Sequence, residues 1–355
     1  MTTRRDLALA AFANTFFTPT TLSAAISKLG FVQADPIRAP ARAQDLILRH
    51  RVRDYRAGQL EERYPKLAIE EDVFTNYGFL PREVVALMHP RAGRRKWTRA
   101  EQQRVEQLRD FVHSRGEAHP DEVERAFQHG RVKNPWGGTS RATTSMLDAM
   151  HHRGLVRVAR RANGVRVFAA SKLEARAALS DDERATRLLD LAVKLYAPVH
   201  GSGLKTLVRF LRAGARDLMP ALRRAAKKLK PTARVDGLDW FGPLPKASEE
   251  DTVRFLAPFD PLVWDRARFE FLWGWAYRFE AYTPVKQRVR GYYALPLAWR
   301  SEVIGWANVT TADQLTLGFV AGRAPGEKAF ARALEEEVER LRTFLRTPKN
   351  SSSNF

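Results

Sequence analysis

A hairpin signature at residues 155–168 constrains this chain more than any other feature. Leu155-Val-Arg-Val-Ala-Arg-Arg-Ala-Asn-Gly-Val-Arg-Val-Phe168 is two alternating runs around Asn163-Gly164. Alternation gives a strand one buried face, and Asn-Gly accepts the two positive-φ positions of a tight primed turn. Two helices precede it in the pattern: one from Pro120 to Gln128, and a second capped by Thr139 and running to His152, after Trp136-Gly-Gly. Helix, helix and basic hairpin is the layout of a winged helix. Arg141, Arg153, Arg157, Arg160, Arg161 and Arg166 stud the second helix and the hairpin, as phosphate contacts require. Winged helices also serve as protein-interaction modules, and basic density is what weighs for DNA here.

The same bias runs through the whole chain, where 60 Lys+Arg stand against 40 Asp+Glu for a net charge of +20. Charge does not specify a fold, but it points to a polyanionic partner whose condensed counterions are released on contact. A basic surface kept for solubility is the alternative. The cations concentrate at Arg38, Arg42, Arg49, Arg51 and Arg53, on the hairpin, and along 205–234, which includes Lys205, Arg209, Arg212, Arg216, Arg223, Lys227 and Lys228. Cysteine is absent, so disulfides, thiolate chemistry and Cys-ligated zinc are excluded. The apolar run after Met1–Arg5 is too short for a secretory signal, and no stretch approaches the roughly 18 apolar residues of a membrane span. A cytoplasmic, nucleoid-associated protein is expected, acting as a monomer for want of a dimerisation coiled coil.

Periodicity places a helix over 22–29 with a Gly30 stop, a short extended piece at Phe31–Asp35, and a helix opened by Pro36 and capped by Asp35 through about His50. Further helices are predicted at 57–67, 81–89, 97–114 and within 182–229. From Ala233 to about 312 the pattern turns to strands, and a last helix spans about 327–346, with Glu335-Glu-Glu337 placed as its dipole prefers. The expected fold class is α+β: tandem winged-helix (helix-turn-helix) domains plus a small C-terminal β-barrel. The expected divisions are an N-terminal winged-helix-like domain at 1–115, a central winged helix at 116–180 and a third helical or winged-helix unit at 181–235. A barrel-like domain at 236–325, the helix at 326–346 and a disordered tail at 347–355 complete the chain. No internal repeat shows at a fixed period.

Gln33-Ala34-Asp35 is the candidate for chemistry. Residues two apart on an extended segment share a face, so amide and carboxylate would point together. A carboxylate can stabilise the oxocarbenium-like state of a breaking N-glycosidic bond or activate water, and an amide can hold that water in line. The competing reading is plain: Asp-Pro is an N-cap followed by Pro at the first helical position. His151-His152 lacks the spacing of a metal site. Gly201-Ser-Gly-Leu-Lys-Thr206 lacks the glycine before lysine of a phosphate loop, and it joins helical stretches rather than following a strand. No metal or cofactor is expected.

Leu29-Gly-Phe-Val-Gln-Ala-Asp-Pro-Ile-Arg-Ala-Pro-Ala-Arg-Ala43 resembles the active-site segment of the YcaQ/AlkZ-like DNA glycosylases. Ala257-Pro-Phe-Asp-Pro-Leu-Val-Trp-Asp-Arg266 and Gly291-Tyr-Tyr-Ala-Leu-Pro296 resemble that family's C-terminal signature, and the winged-helix stretch 136–168 fits as well. The resemblance spans roughly residues 20–310. It implies tandem winged helices joined to a small β-barrel around a concave DNA-binding surface. It also implies monofunctional hydrolysis of N7-alkylated purines and unhooking of interstrand crosslinks in double-stranded DNA. The family motif is Gln-hydrophobic-Gln in one branch and Gln-hydrophobic-Asp in the other, and Gln33-Ala34-Asp35 matches the second. Ala34 is smaller than the usual branched residue, and Gln44-Asp45 replaces a commonly His-containing pair. By this resemblance Asp35 is the base and electrostatic stabiliser, and Gln33 positions the water. Arg38, Arg42, Arg49, Arg51, Arg141, Arg153, Arg157, Arg160, Arg161, Lys205 and Arg209 are the expected DNA contacts. A non-enzymatic winged-helix regulator is the alternative.

Overall fold

The structure, a computed structural model, describes residues 2–93, 95–133, 137–171, 179–311 and 314–346. The tail at 347–355 expected to be disordered, and Trp136 and Met1, lie outside the described residues. After α1 (Arg4–Thr15), one order of elements occurs three times: helix, short strand, helix, helix, two-stranded hairpin. The first unit is α2 (Leu22–Leu29), β1 (Val32–Gln33), α3 (Ala43–Leu48), α4 (Gln59–Arg63), β2 (Ile69–Val73) and β3 (Tyr77–Pro81), followed by α5 (Arg82–Met88). The second is α6 (Arg99–Arg115), β4 (Glu117–Ala118), α7 (Pro120–Phe127), a small extra hairpin of β5 (Arg131–Lys133) and β6 (Thr139–Arg141), then α8 (Ala142–Arg153), β7 (Val156–Ala162) and β8 (Val165–Ala170). The third is α9 (Asp181–Leu195), β9 (Val199–His200), α10 (Gly201–Leu211), α11 (Met219–Lys228), β10 (Ala233–Val235) and β11 (Leu238–Phe241). In each unit the short strand pairs with the second strand of the hairpin, giving sheet orders β1–β3–β2, β4–β8–β7 and β9–β11–β10.

Local chemistry explains the elements that were legible. Thr21 caps α2 by accepting from the Ala24 amide at 3.3 Å, and Gly30 ends it at φ 73°. Asn163 and Gly164 sit at φ 51° and 83°, and Ala162 faces Val165 across the turn. Asp236 and Gly237 repeat that turn at φ 49° and 74°, so the expected 235/236 division falls inside the third hairpin.

Three expectations about elements are corrected. No helix starts at Pro36: residues 34–42 are irregular, Arg42 occupies the N-cap position of α3 without a side-chain capping bond, and the helix begins at Ala43. Pro40 explains this, since it has no amide to give and keeps Ala39 out of the helical region. Thr139 does not cap the following helix but lies in β6, and Arg141 stands at the cap of α8. A two-residue strand, β9, does precede Gly201, although the motif still lacks its glycine.

The C-terminal part is an antiparallel sheet in the order β12 (Val253–Phe255), β13 (Leu295–Trp299), β14 (Glu302–Thr311), β15 (Gln314–Phe319), with α12 (Arg266–Trp273) and α13 (Lys328–Leu345). Among the described residues it is open, so the expected barrel is not closed. The edge at β12 has another cover. Glu337 of α13 accepts the Phe255 amide at 2.8 Å, and Arg340 donates to the Val253 carbonyl at 3.1 Å. With its edge groups satisfied by a helix, the strand has no need of a closing partner. Glu337 is therefore a buried clamp, also paired with Arg49, rather than a surface acid answering the helix dipole.

Candidate active site and nucleic-acid surface

The units meet through charged side chains. Arg157 and Arg161 of β7 pair with Glu70 and Glu71 of β2, the first at 2.8 Å, and Tyr64 donates to the Val158 carbonyl at 2.6 Å. Between the first and third units, buried Asp72 takes His89 at 2.6 Å and Arg91 at 2.8 Å, while Arg91 also donates to the Gly214 carbonyl at 2.5 Å. Burial alone would raise the Asp72 carboxyl; Arg91, then the His89 hydrogen bond, hold it far below the usual range. His151 is a core histidine whose pKa burial lowers to about 4.

Gln33 is fixed by the close approach of two strands. It faces Gly78 across the β1–β3 pair, where a Cβ would clash with the Val32 carbonyl and come within 2.6 Å of the Phe31 ring. Glycine is thus what admits β1 to the sheet. The Gln33 side chain is 5% exposed and its Oε1 has no hydrogen-bond partner, an expensive state for a buried acceptor. It lines a cavity of about 520 Å³ together with Thr206 and Arg209 of α10, Phe259, Trp264 and Asp265.

Asp35 lies past the end of β1 and is not part of that wall. The shared face expected of Gln33 and Asp35 is therefore not realised in the cavity. The Asp35 amide donates to Gln44 Oε1 at 3.3 Å, and its Oδ1 accepts from the Ile37 amide at 2.9 Å, closing a local turn instead of capping a helix. Burial pushes its carboxyl above the ordinary carboxylate range, against the pull of the Ile37 hydrogen bond. Its charge acts on Tyr293, whose buried hydroxyl lacks a partner; burial first, then Asp35, raise that phenol's pKa. Tyr293 packs 5.1 Å from Phe279, another wall residue, so Asp35 stands beside the cavity rather than in it.

Asp265, in the segment that resembles the family's C-terminal signature but with no role expected of it, also lines the cavity. It caps α12 through Oδ1, which accepts the amides of Ala267 and Arg268 at 3.1 Å each, while Oδ2 is buried without a hydrogen bond. His200 Nε2 is 3.4 Å from that oxygen, within ion-pair reach but out of hydrogen-bond alignment. Gly203 makes room for it, since a Cβ there would sit 2.5 Å from Oδ2. Burial raises the Asp265 carboxyl, but the His200 and Arg268 interactions outweigh it and hold it below the usual range. Two buried acceptors without a hydrogen bond, Gln33 Oε1 and Asp265 Oδ2, belong to residues lining one cavity and call for a ligand or water that brings donors. A larger cavity of about 790 Å³ beside α12 and the C-terminal sheet has no such orphan, because Trp273 and Trp275 donate to the Ser301 and Val303 carbonyls. Among the described residues no three His, Asp or Glu side chains gather as a metal requires, and no helix is long and apolar enough to cross a membrane.

The basic residues divide sharply. Arg51 is fully buried against Asp260, and the Arg49 side chain is buried against Glu337, so neither is the DNA contact expected of it: both charges are spent inside. Arg42 pairs with Glu61 and is nearly buried. On the second unit, Arg157 and Arg161 are staples to β2, Arg141 pairs with Asp121, and Arg160 pairs with Glu117 at 2.7 Å. Arg153 stacks over Trp97 at 3.5 Å. Arg38, Lys205, Arg209, Arg212, Arg216, Arg223, Lys227 and Lys228 are exposed with no ion-pair partner among the described residues. All of these except Arg38 belong to the third unit, and Arg209 also lines the cavity; Arg53, Arg63, Arg125, Arg278 and Lys286 are likewise exposed without an ion-pair partner among the described residues.

Repeated helix–hairpin units, exposed cations on the third of them and a cavity with buried acceptors are the features in which the chain can be compared with known proteins. The fold is similar to that of Streptomyces sahachiroi DNA glycosylase AlkZ, with a TM-score of 0.60 and 17% identity over 97% of this chain and 98% of that one. The family model for DNA glycosylase AlkZ-like proteins matches residues 26–344, and the chain belongs to that family.

Proposed function

We propose that the protein hydrolyses the N-glycosidic bond of N7-alkylated purines in duplex DNA and unhooks interstrand crosslinks built on them, as a monofunctional glycosylase. The observation that carries this reading is the buried, unpartnered Oε1 of Gln33 on the cavity wall, two residues from a half-buried carboxyl whose pKa is raised. Asp35 acts as base and stabilises the sugar cation, and Gln33 holds the attacking water. A purine alkylated at N7 is cationic and already a good leaving group, so little acid catalysis is needed. One well-aimed carboxylate can then supply several decades of rate, each tenfold being worth about 1.4 kcal/mol.

The three units of identical order read as winged helices, with α8 and α11 in the position of recognition helices. The free cations of α10 and α11 support the third unit as the principal phosphate-binding surface, with Arg38 as an outlying contact. The protein works as a cytoplasmic, nucleoid-associated monomer. Incubation with duplexes carrying N7-methylguanine or a nitrogen-mustard crosslink, followed by alkali, tests the reading: abasic-site cleavage and single-strand release are expected. A regulator would instead give a sequence-specific footprint and no abasic product from either duplex.

A further inference from the structure

The segment from Phe279 to Tyr292 leaves the cavity wall and returns beside it. Phe279 lines the cavity, with its ring 5.0 Å from Phe259 and 5.1 Å from Tyr293. Between these roots stand the three most exposed large apolar side chains among the described residues: Tyr282 at 78%, Val289 at 76% and Val285 at 74%. Scattered exposed apolar residues are ordinary, but three within eight residues, the first with its ring 6.0 Å from that of the wall residue Phe279, mark an interaction site.

The loop is held at its base. Glu280, 6% exposed, accepts the amides of Arg290 at 2.9 Å and Gly291 at 3.2 Å through one carboxylate oxygen. Arg288 donates to the Thr283 carbonyl at 2.8 Å, and Asn308 donates to the Arg290 carbonyl at 2.7 Å. The backbone is clamped while the apolar tips stay bare, so displaying them costs little further ordering on binding. Glu280 is the segment's acid, and it faces inward. Arg278 and Lys286 are exposed with no ion-pair partner among the described residues, and Arg288 stacks over Tyr292 at 5.1 Å. An apolar tip rimmed with cations fits a polyanion that has an apolar interior, which is the makeup of a stacked duplex.

We propose that residues 282–289 form a wedge that enters the base stack beside the damaged nucleotide. Tyr282, with Val285 and Val289, fills the opened step, and Arg278 and Lys286 hold the flanking phosphates. The inference rests on the glycosylase reading of the neighbouring cavity. Opening a step exposes base faces to water, and apolar side chains replace the lost stacking contacts. The wedge thereby lets Asp35 and Gln33 reach the glycosidic carbon even when a crosslink keeps the base from swinging fully out.

The test uses the full chain and a duplex with 2-aminopurine next to 2′-fluoro-N7-methyldeoxyguanosine, whose glycosidic bond resists cleavage. Binding of the unmodified protein is expected to raise 2-aminopurine fluorescence several-fold. Tyr282→Ser, and separately Val285→Ser with Val289→Ser, should abolish most of that rise and lower kcat/KM on N7-methylguanine about tenfold, while affinity for undamaged duplex changes less than twofold. These side chains are exposed, so an unchanged circular dichroism melt is expected of each variant. A full fluorescence rise in both variants would overturn the wedge and assign the tip to another partner, such as a protein. The fluorescence needs no catalysis, so it decides the wedge even if no alkylated base is ever released, a result that would defeat the glycosylase reading alone.

Discussion

Arg51 and Asp260, 209 residues apart in the chain, meet as a two-pronged ion pair with no solvent contact on either side chain. The two bonds measure 2.9 and 3.0 Å, and Arg51 also donates to the carbonyls of Thr15 at 3.0 Å and Ile47 at 2.6 Å. Asp260 uses Oδ1 a second time to accept the Leu262 amide at 3.0 Å, fixing the turn that precedes Trp264 and Asp265. The pair thus ties the segment after β1 to the segment that supplies Phe259, Trp264 and Asp265 to the cavity. A residue read from charge as a DNA contact is an internal brace.

Arg51→Met should lower unfolding stability by about 3–5 kcal/mol in urea, because it leaves a buried carboxylate uncompensated. Lys205→Ala or Arg212→Ala should leave stability within about 0.5 kcal/mol and reduce the slope of log affinity for DNA against log salt by about 1. A salt slope that responds to Arg51 but not to Lys205 would reverse this division of labour.

Asp35→Asn is expected to reduce single-turnover cleavage of N7-methylguanine duplex at least about 100-fold, and Gln33→Ala by about tenfold or more, with duplex affinity kept. Full rates in both variants would remove the segment from the chemistry.

The acid limb of the pH–rate profile should lie above the ordinary carboxylate range, because burial raises the Asp35 pKa and the base must be ionised. Activity falls as pH drops through that raised pKa. The sign for stability is opposite: the folded state binds the Asp35 proton more tightly than the unfolded one, so this group's contribution declines as pH rises through the same window. In Asp35→Asn the residual rate should lose the acid limb.

Asp265→Asn keeps the α12 cap, since asparagine caps as well as aspartate, but removes the buried charge. A stability change within about 1 kcal/mol is expected together with a roughly tenfold fall in kcat/KM for a cationic lesion. Equal rates for the two proteins would mean that Asp265 is a helix cap and nothing more.

His151 should make the fold acid-sensitive. Burial lowers its folded pKa to about 4 from the ordinary 6.5, so the unfolded state binds the proton first and stability is lost as pH falls between these values. The full loss amounts to roughly 3 kcal/mol, and urea unfolding of His151→Phe should show a shallower slope over that range.

Much of the architecture was legible because it is set by near neighbours. Gly30, Asn163-Gly164 and the helix periodicities act within a few residues, and the corresponding elements form where they were expected. Asp236-Gly237 carried the same turn signal as Asn163-Gly164 and could have revealed the third hairpin. The helix expected from Pro36 failed because Pro40 overrode the capping pattern. The closed barrel failed because α13, distant in sequence, satisfies the edge of β12. The candidate segment was found by motif, whereas Asp265 gave no local sign beyond an ordinary N-cap.

By itself the sequence determined the hairpins, most helix limits, the family and the excess of positive charge, since each depends on composition or on short-range backbone preference. Which cations remain free was decided by tertiary structure. Arg49, Arg51, Arg157 and Arg161 look like Lys205 and Arg209 in sequence, but the first four meet carboxylates from other elements and the last two meet water. Burial and pairing are properties of distant segments brought together. They alone turn Gln33 and Asp265 from two ordinary polar residues into buried acceptors without hydrogen bonds that line one cavity.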